Sequence, residues 1–306
     1  MGCFPPLFVF PHIKKKELID RSIMSCRRVV SADNLRVDFV KDAALQRPIF
    51  SVLASSSART VFQMGSNNAE NALAAAQLVV QDVAGVDVNM GCPKEFSVKG
   101  GMGAALMEAP ETVTAILKTL RLNLPAEKSV TCKIRLFPDL RRTVDFAQMV
   151  ERCGVTAIAV HGRTRDQRDH NPADWAAIAQ IKASLSIPVV LNGDVLCHAD
   201  FERAQRETGV DSVMTARGAL ANASIFSNVA VETCEVARRY ARKAVSLQNN
   251  FQNTKWVVLR MLAGVTRKDK MYKDLMAKIT DSRTDEDLLA LLAHDAIETE
   301  QKRLKR

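Results

Sequence analysis

No two cysteines in this chain are spaced C-x-x-C, and the seven present, at positions 3, 26, 92, 132, 153, 197 and 234, are odd in number. That pattern excludes a disulfide framework and a structural zinc site. Free thiols set in apolar runs point instead to a reducing compartment. Also missing is an apolar run long enough to span a bilayer. The opening stretch MGCFPPLFVFPHIKKK carries its lysines after the apolar residues, the reverse of a secretory signal. It has Pro6 where a myristoylation motif takes Ser or Thr. The expectation is a cytoplasmic protein with neither a membrane nor a metal partner.

Acidic residues are scarce in one region. Between residues 238 and 278 eleven Lys or Arg face two Asp, an excess equal to the net charge of +9 for the whole chain. Such clustering is the footprint of a polyanion partner, or else a solvated helix face.

What is present is enough for a large core. The 306 residues are 47% hydrophobic and 25% charged, sufficient for one large domain and a smaller one. From residue 60 short β-rich runs alternate with helical stretches. Strands are expected at 60–64, 85–90, 130–136, 155–161, 187–192 and 212–216. Helices are expected between them at 68–83, 110–122, 143–153, 173–185 and 199–208. This alternation implies a parallel sheet buried on both faces and repeated βα units.

Six units are visible, where a TIM-type (β/α)8 barrel has eight. Residues 49–54 form a possible further strand, and 17–30 read as a helix or the tail of a damaged unit. Beyond residue 226 the β pattern stops, and helices are expected at 229–247, 253–262, 270–278 and 285–302. The fold class is therefore α/β: a barrel over residues 1–226, atypical over 1–59, then a basic all-α domain over 227–306.

The strand ends are unusually polar, and barrel chemistry sits where strands end. Gln63 follows Val61-Phe62, and Asn89 and Cys92 follow Val86-Asp87-Val88. In Val130-Thr-Cys-Lys-Ile-Arg135 the two-residue period puts Thr131, Lys133 and Arg135 on one face. His161 and Arg163 follow a fourth apolar run, Asn192-Gly193-Asp194 a fifth and Ala216-Arg217-Gly218 a sixth. Singly, each reads as a hydrogen-bonded loop residue or a turn. Together they read as a site. Lys133 is the sharpest case, because an ammonium inside an apolar strand is costly unless it meets an anion or water.

The last two ends suggest a phosphate. Glycine turns after the final strands of such a barrel form an anion site, and Arg217 adds a bidentate contact. Lys133 suits the electron-rich edge of a bound ring. A phosphorylated redox cofactor such as FMN satisfies both descriptions.

The segments DVNMGCPKEFSVKGGMGAALM, VTCKIRL, AIAVHGRTRDQR, PVVLNGDV and SVMTARGALANASIF, taken in order, resemble the tRNA-dihydrouridine synthases. More narrowly they are similar to the eukaryotic cytoplasmic branch acting on D-loop position twenty, with NNFQNTKWVVLRML extending the likeness into the helical domain. The resemblance implies an FMN-binding barrel joined to a helical tRNA-binding domain, with NADPH as reductant. It makes Cys92 the general acid that protonates uracil C5. It puts Gln63, Lys133 and His161 on the flavin ring or ribityl chain. Asn192, Gly193, Asp194, Ala216 and Arg217 then hold the phosphate. Asn89, Arg135 and Arg163 fall on the uracil side, and Arg238, Arg239, Arg242 and Lys243 on the RNA.

Two departures from the family pattern stand out. The Ala-Pro-Met segment of the usual first strand has no counterpart here, and the chain ends at Arg306 without the double-stranded-RNA-binding domain of some relatives. A weakly catalytic tRNA-binding relative is one alternative. Another is a different FMN barrel acting on a small pyrimidine, related to dihydroorotate or dihydropyrimidine dehydrogenases.

Overall fold

The structure is a computed structural model, and it describes residues 23–33, 35–41, 48–264 and 270–293. Packing divides the chain into two compact units. The first comprises Met1–Asp194 with Glu202–Met214, and the second Val195–Phe201 with Thr215–Arg306.

The first unit contains two sheets. Three antiparallel strands, β1 (Arg27–Val30), β2 (Arg36–Val40) and β3 (Pro48–Leu53), come first. The helix expected over 17–30 is therefore corrected at its end. Arg27–Val30 pairs with Arg36–Val40, because a β-branched Val-Val pair facing a second such run gains more from a ladder than from a helical turn. Residues 23 and 24 are helical, and the part of that expectation before residue 23 lies outside the described residues. The strand expected at 49–54 is β3. Phe50 stacks on Phe39 at 5.5 Å between ring centroids and meets Phe62 edge-on at 5.0 Å, which ties this sheet to the next strand.

The second sheet is parallel, with its six strands in sequence order: β4 (Val61–Met64), β5 (Gly85–Asn89), β6 (Ser129–Leu136), β7 (Ala157–Thr164), β8 (Val189–Asn192) and β9 (Ser212–Met214). Between them run α1 (Ala69–Val79), a short α2 (Glu95–Lys99), α3 (Pro110–Asn123), α4 (Leu140–Arg152), α5 (Trp175–Ala183) and α6 (Ala199–Thr208). Neighbouring helices pack in turn, α1 on α3, α3 on α4 and α4 on α5. This is part of a TIM-type barrel. Among the described residues β4 and β9 are each paired on one side only.

Loop chemistry starts several helices. Asn68, Asp139 and Asp174 each accept a hydrogen bond from a first-turn backbone N–H of α1, α4 and α5.

The two faces of this sheet differ. Register pairs Phe62 with Val86, Val86 with Val130, and Cys132 with Ile158, and this face is fully buried aliphatic and aromatic surface. The opposite face carries Gln63, Asp87 and Thr131 in one row, Asn89 and Lys133 in the next, and Arg135, His161 and Asn192 in a third. The central strands are buried on both faces, as expected. Near their C-terminal ends one face is apolar and the other polar. A small apolar layer of Ala159, Val190 and Met214 lies on the polar side.

The second unit is helical: α7 (Arg217–Ala221), α8 (Thr233–Ser246), α9 (Phe251–Ala263), α10 (Lys270–Asp281) and α11 (Asp285–Leu291). Helix α9 packs on α7, α8 and α10, and α11 on α8 and α10. Ala237, Ala241, Val258, Leu262, Ile279, Leu288 and Leu292 form a contiguous core. The expected extension of the last helix to residue 302 runs beyond the described residues.

Candidate active site

The Cys92 loop is built from the end of β5. The Asn89 side-chain oxygen accepts from the backbone N–H of Gly91 at 3.1 Å and of Cys92 at 3.0 Å. From β6 the Arg135 Nε donates to the Gly91 carbonyl at 2.6 Å, and Met90 N donates to Lys133 O at 2.9 Å. The half-buried thiol therefore stands on a turn held from two strands. Gly103 closes the loop at φ +58°. A Cβ there would sit 2.4 Å from Ser97 Oγ and 2.7 Å from the Cys92 carbonyl, so only glycine fits.

Two titratable groups of the polar face follow, Lys133 on β6 and His161 on β7. Burial pulls the Lys133 pKa down to about 8, helped by the Arg135 charge and opposed by Asp87 and Cys92. No hydrogen bond or ion pair holds its ammonium among the described residues. Burial also drives the His161 pKa down to about 2, with the Lys133, Arg135 and Arg163 charges adding to the effect and Asp194 opposing it. His161 is thus a neutral imidazole at working pH, and its buried Nδ1 has no partner. An unsatisfied buried ring nitrogen beside an unpaired ammonium suits a ligand rich in polar ring atoms. These residues fit a flavin.

At the end of β8, Asn192 donates to Met214 O at 3.0 Å. Gly193 adopts φ +118°, and a Cβ there would meet Ala173 Cβ at 2.8 Å. Asp194, at φ +56°, is held by Arg163 at 2.6 and 2.7 Å and by Ala173 N at 2.7 Å. The Arg163 side chain is 3% exposed and also donates to Asn171 O at 2.5 Å. The expectation that placed Arg163 on the uracil side now has a second role beside it. Its guanidinium is spent bracing the Gly193-Asp194 turn.

Ala216 and Arg217 belong to the second unit, where Ala216 caps and Arg217 opens the short α7. On α8, Arg238 is buried and donates to Leu292 O at 2.7 Å and to Glu235, so it stitches helices together. It is therefore less open to solvent than its basic neighbours on the same helix. Arg239 is exposed and bonded to Glu235 at 2.7 Å, and Arg242 and Lys243 are exposed.

Asp87 was not among the expected site residues. Its carboxylate is buried and accepts from Gln63 Nε2 at 2.8 Å and from Thr131 Oγ1 at 2.7 Å. Burial raises its pKa, against the pull of those two bonds and of Lys133. The signal was in the sequence: a charge inside Val86-Asp87-Val88 is as anomalous as Lys133 in its own strand.

A family model described as dihydrouridine synthase matches residues 16–297, and the chain belongs to that family. The tRNA-dihydrouridine(20) synthase (NAD(P)+) of Schizosaccharomyces pombe is 35% identical over 276 residues, covering 85% of this chain and 57% of that protein. The tRNA-dihydrouridine(20a/20b) synthase (NAD(P)+)-like protein of Homo sapiens is 36% identical over 221 residues, 71% of this chain and 69% of that protein. The chain thus spans a little over half the length of the S. pombe relative. Among the described residues no helix is long and apolar enough to cross a membrane, and no cluster of metal-ligating side chains occurs.

Proposed function

We propose that this chain is a cytoplasmic tRNA-dihydrouridine synthase that reduces a D-loop uridine, at position 20 by likeness to its relatives, using FMN and NADPH. The observation that carries the reading is the single polar face, on which the Cys92 loop stands above Lys133 and a neutral, unpartnered His161. Bound there, FMN would supply hydride to uracil C6, with NADPH as its reductant.

The chain's own residues do the rest. The Cys92 thiol gives the proton to C5. This is an acid's role, which calls for the thiol rather than the thiolate. Lys133 lends positive charge to the electron-rich edge of the ring. His161 offers ring nitrogens without a charge, Gln63 an amide, and the turn at Asn192–Asp194 backbone N–H groups toward a phosphate. The proposal for Ala216 and Arg217 on that phosphate rests on the resemblance alone. Asn89 and Arg135 act on the uracil side through the loop they hold.

Binding to tRNA is assigned to the basic helical domain from residue 227. Arg239, Arg242 and Lys243 are its candidate phosphate contacts, since shape and backbone charge dominate recognition of folded RNA. Neutralising Arg242 and Lys243 together should lower the slope of log affinity against log salt by about 1.5.

The test is direct. With unmodified tRNA, FMN and NADPH, the chain forms dihydrouridine, and NADPH oxidation depends on tRNA. No product, alongside an active longer relative, overturns the reading. One observation favours a second reading, a tRNA-binding relative of low activity: β4 and β9 are each paired on one side only among the described residues. That reading predicts salt-sensitive tRNA binding by a colourless protein, and near-stoichiometric flavin absorbance removes it. Failure to bind tRNA at all would favour a small pyrimidine as substrate.

A further inference from the structure

Five hydrogen bonds of the polar face form one directed series. Thr131 Oγ1 donates to Asp87 Oδ1 at 2.7 Å, and Gln63 Nε2 donates to Asp87 Oδ2 at 2.8 Å. Asn89 Nδ2 donates to Gln63 Oε1 at 3.4 Å, and the Gly91 and Cys92 N–H groups donate to Asn89 Oδ1 at 3.1 and 3.0 Å. Gln63, Asp87 and Thr131 are register partners on three adjacent parallel strands, which brings their side chains side by side. The series runs from the middle of the sheet to the backbone of the cysteine.

Every link has a forced polarity. While Asp87 is ionised its carboxylate only accepts, so Gln63 turns its NH2 toward Asp87 and its oxygen away. That oxygen selects the NH2 of Asn89, which leaves Asn89 Oδ1 as the acceptor for the loop. Thr131 occupies the other carboxylate oxygen, so Asp87 has no second orientation to adopt. Without a fixed charge at the base, each amide has two nearly equal flips, and half of them present NH2 to the N–H groups of the loop.

We infer that Asp87 is a positioning residue whose carboxylate, acting through the amides of Gln63 and Asn89, sets the stance of the Cys92 loop. Its functional meaning rests on the reading of Cys92 as proton donor. Arg135 holds the same loop independently at Gly91 O, so loss of the relay loosens the loop without releasing it.

The test uses the full chain free of cofactor and RNA, so it stands whether or not the chain reduces uridine. The rate of iodoacetamide labelling at Cys92 is followed by mass spectrometry, with exposed Cys197 and buried Cys132 as references. Asp87→Asn, Gln63→Leu and Asn89→Leu should each change the Cys92 rate by roughly two- to tenfold, the worth of one net hydrogen bond. Thr131→Val, which leaves the amide polarity in place, should leave that rate unchanged. Adding Asp87→Asn to Gln63→Leu should produce no further change, because the relay is already cut.

An Asp87→Asn rate equal to the unsubstituted chain, or an effect that persists undiminished in the Gln63→Leu background, overturns the inference. If Asp87→Asn also exposes Cys132 to labelling, the fold has opened and Gln63→Leu decides. An unchanged Cys92 rate there overturns the inference, and a changed one supports it. In turnover assays Asp87→Asn should lower kcat and leave KM for tRNA unchanged.

Discussion

The two faces of one six-stranded sheet behave as different molecules. Toward the helices stand Phe62, Val86, Val88, Cys132, Ile134, Ile158, Val160 and Leu191, nearly all at zero exposure. One residue along each strand, on the other face, stand Gln63, Asp87, Asn89, Thr131, Lys133, Arg135, His161 and Asn192. The first set supplies the free energy that makes a barrel wall. The second draws on it, burying an ammonium, a carboxylate and an imidazole where burial disfavours their charged forms. The lesson is that scaffold and chemistry are separated by one residue rather than by a domain boundary.

That separation can be broken or sharpened. The largest effect is expected at Cys92. Cys92→Ala should cut dihydrouridine formation by roughly 10²–10⁴-fold, the usual worth of a general acid, with the denaturation midpoint unchanged. Next comes the opposite face. Ile134→Ala empties a fully buried site and should cost about 2–5 kcal/mol in a denaturant titration, while Cys92 labelling in the remaining folded protein stays the same. A change in labelling would show that the faces are coupled.

The third test is of acid. His161 takes a proton at pH 6.5 when unfolded and only at about 2 when folded. The unfolded state therefore binds more protons between those values, and stability present above pH 6.5 is lost as the pH falls toward 2. The slope from this one residue is at most about 1.4 kcal/mol per pH unit, and His161→Asn should flatten the acid limb of a stability–pH curve by that amount.

The smallest effect has the opposite sign. Lys133→Met removes an ammonium whose pKa is depressed to about 8, and should raise stability at pH 7 by about 0.5–2 kcal/mol while weakening flavin binding. If that variant were less stable, Lys133 would belong to the scaffold after all.

Much of this was legible beforehand. All six barrel strands and five of the intervening helices lie where periodicity and capping residues put them, and α6 agrees to the residue. Cys92, Lys133 and His161 stood out as candidates because polar groups at the ends of apolar runs are improbable singly and more so in series. Arg27–Val30 was misread because a short β-branched run cannot show by itself whether a partner strand waits nine residues on. The partners of Arg163 and Arg238 were hidden for a related reason. An arginine in sequence looks like a hand held out to a substrate, and whether a carboxylate or a carbonyl already grips it depends on segments 31 and 54 residues away.

By itself the sequence determined the alternation of strand and helix, the basic character of the last third and the types of residue at each strand end. Those follow from local periodicity and composition, which need no partner. Only the tertiary structure decided which charges are consumed. Register sets Asp87 between Gln63 and Thr131, pairs Arg163 with Asp194, and among the described residues leaves Lys133 without a mate and His161 Nδ1 unsatisfied. Pairing of that kind depends on side chains brought within 3 Å across adjacent strands, a distance that sequence separation does not encode.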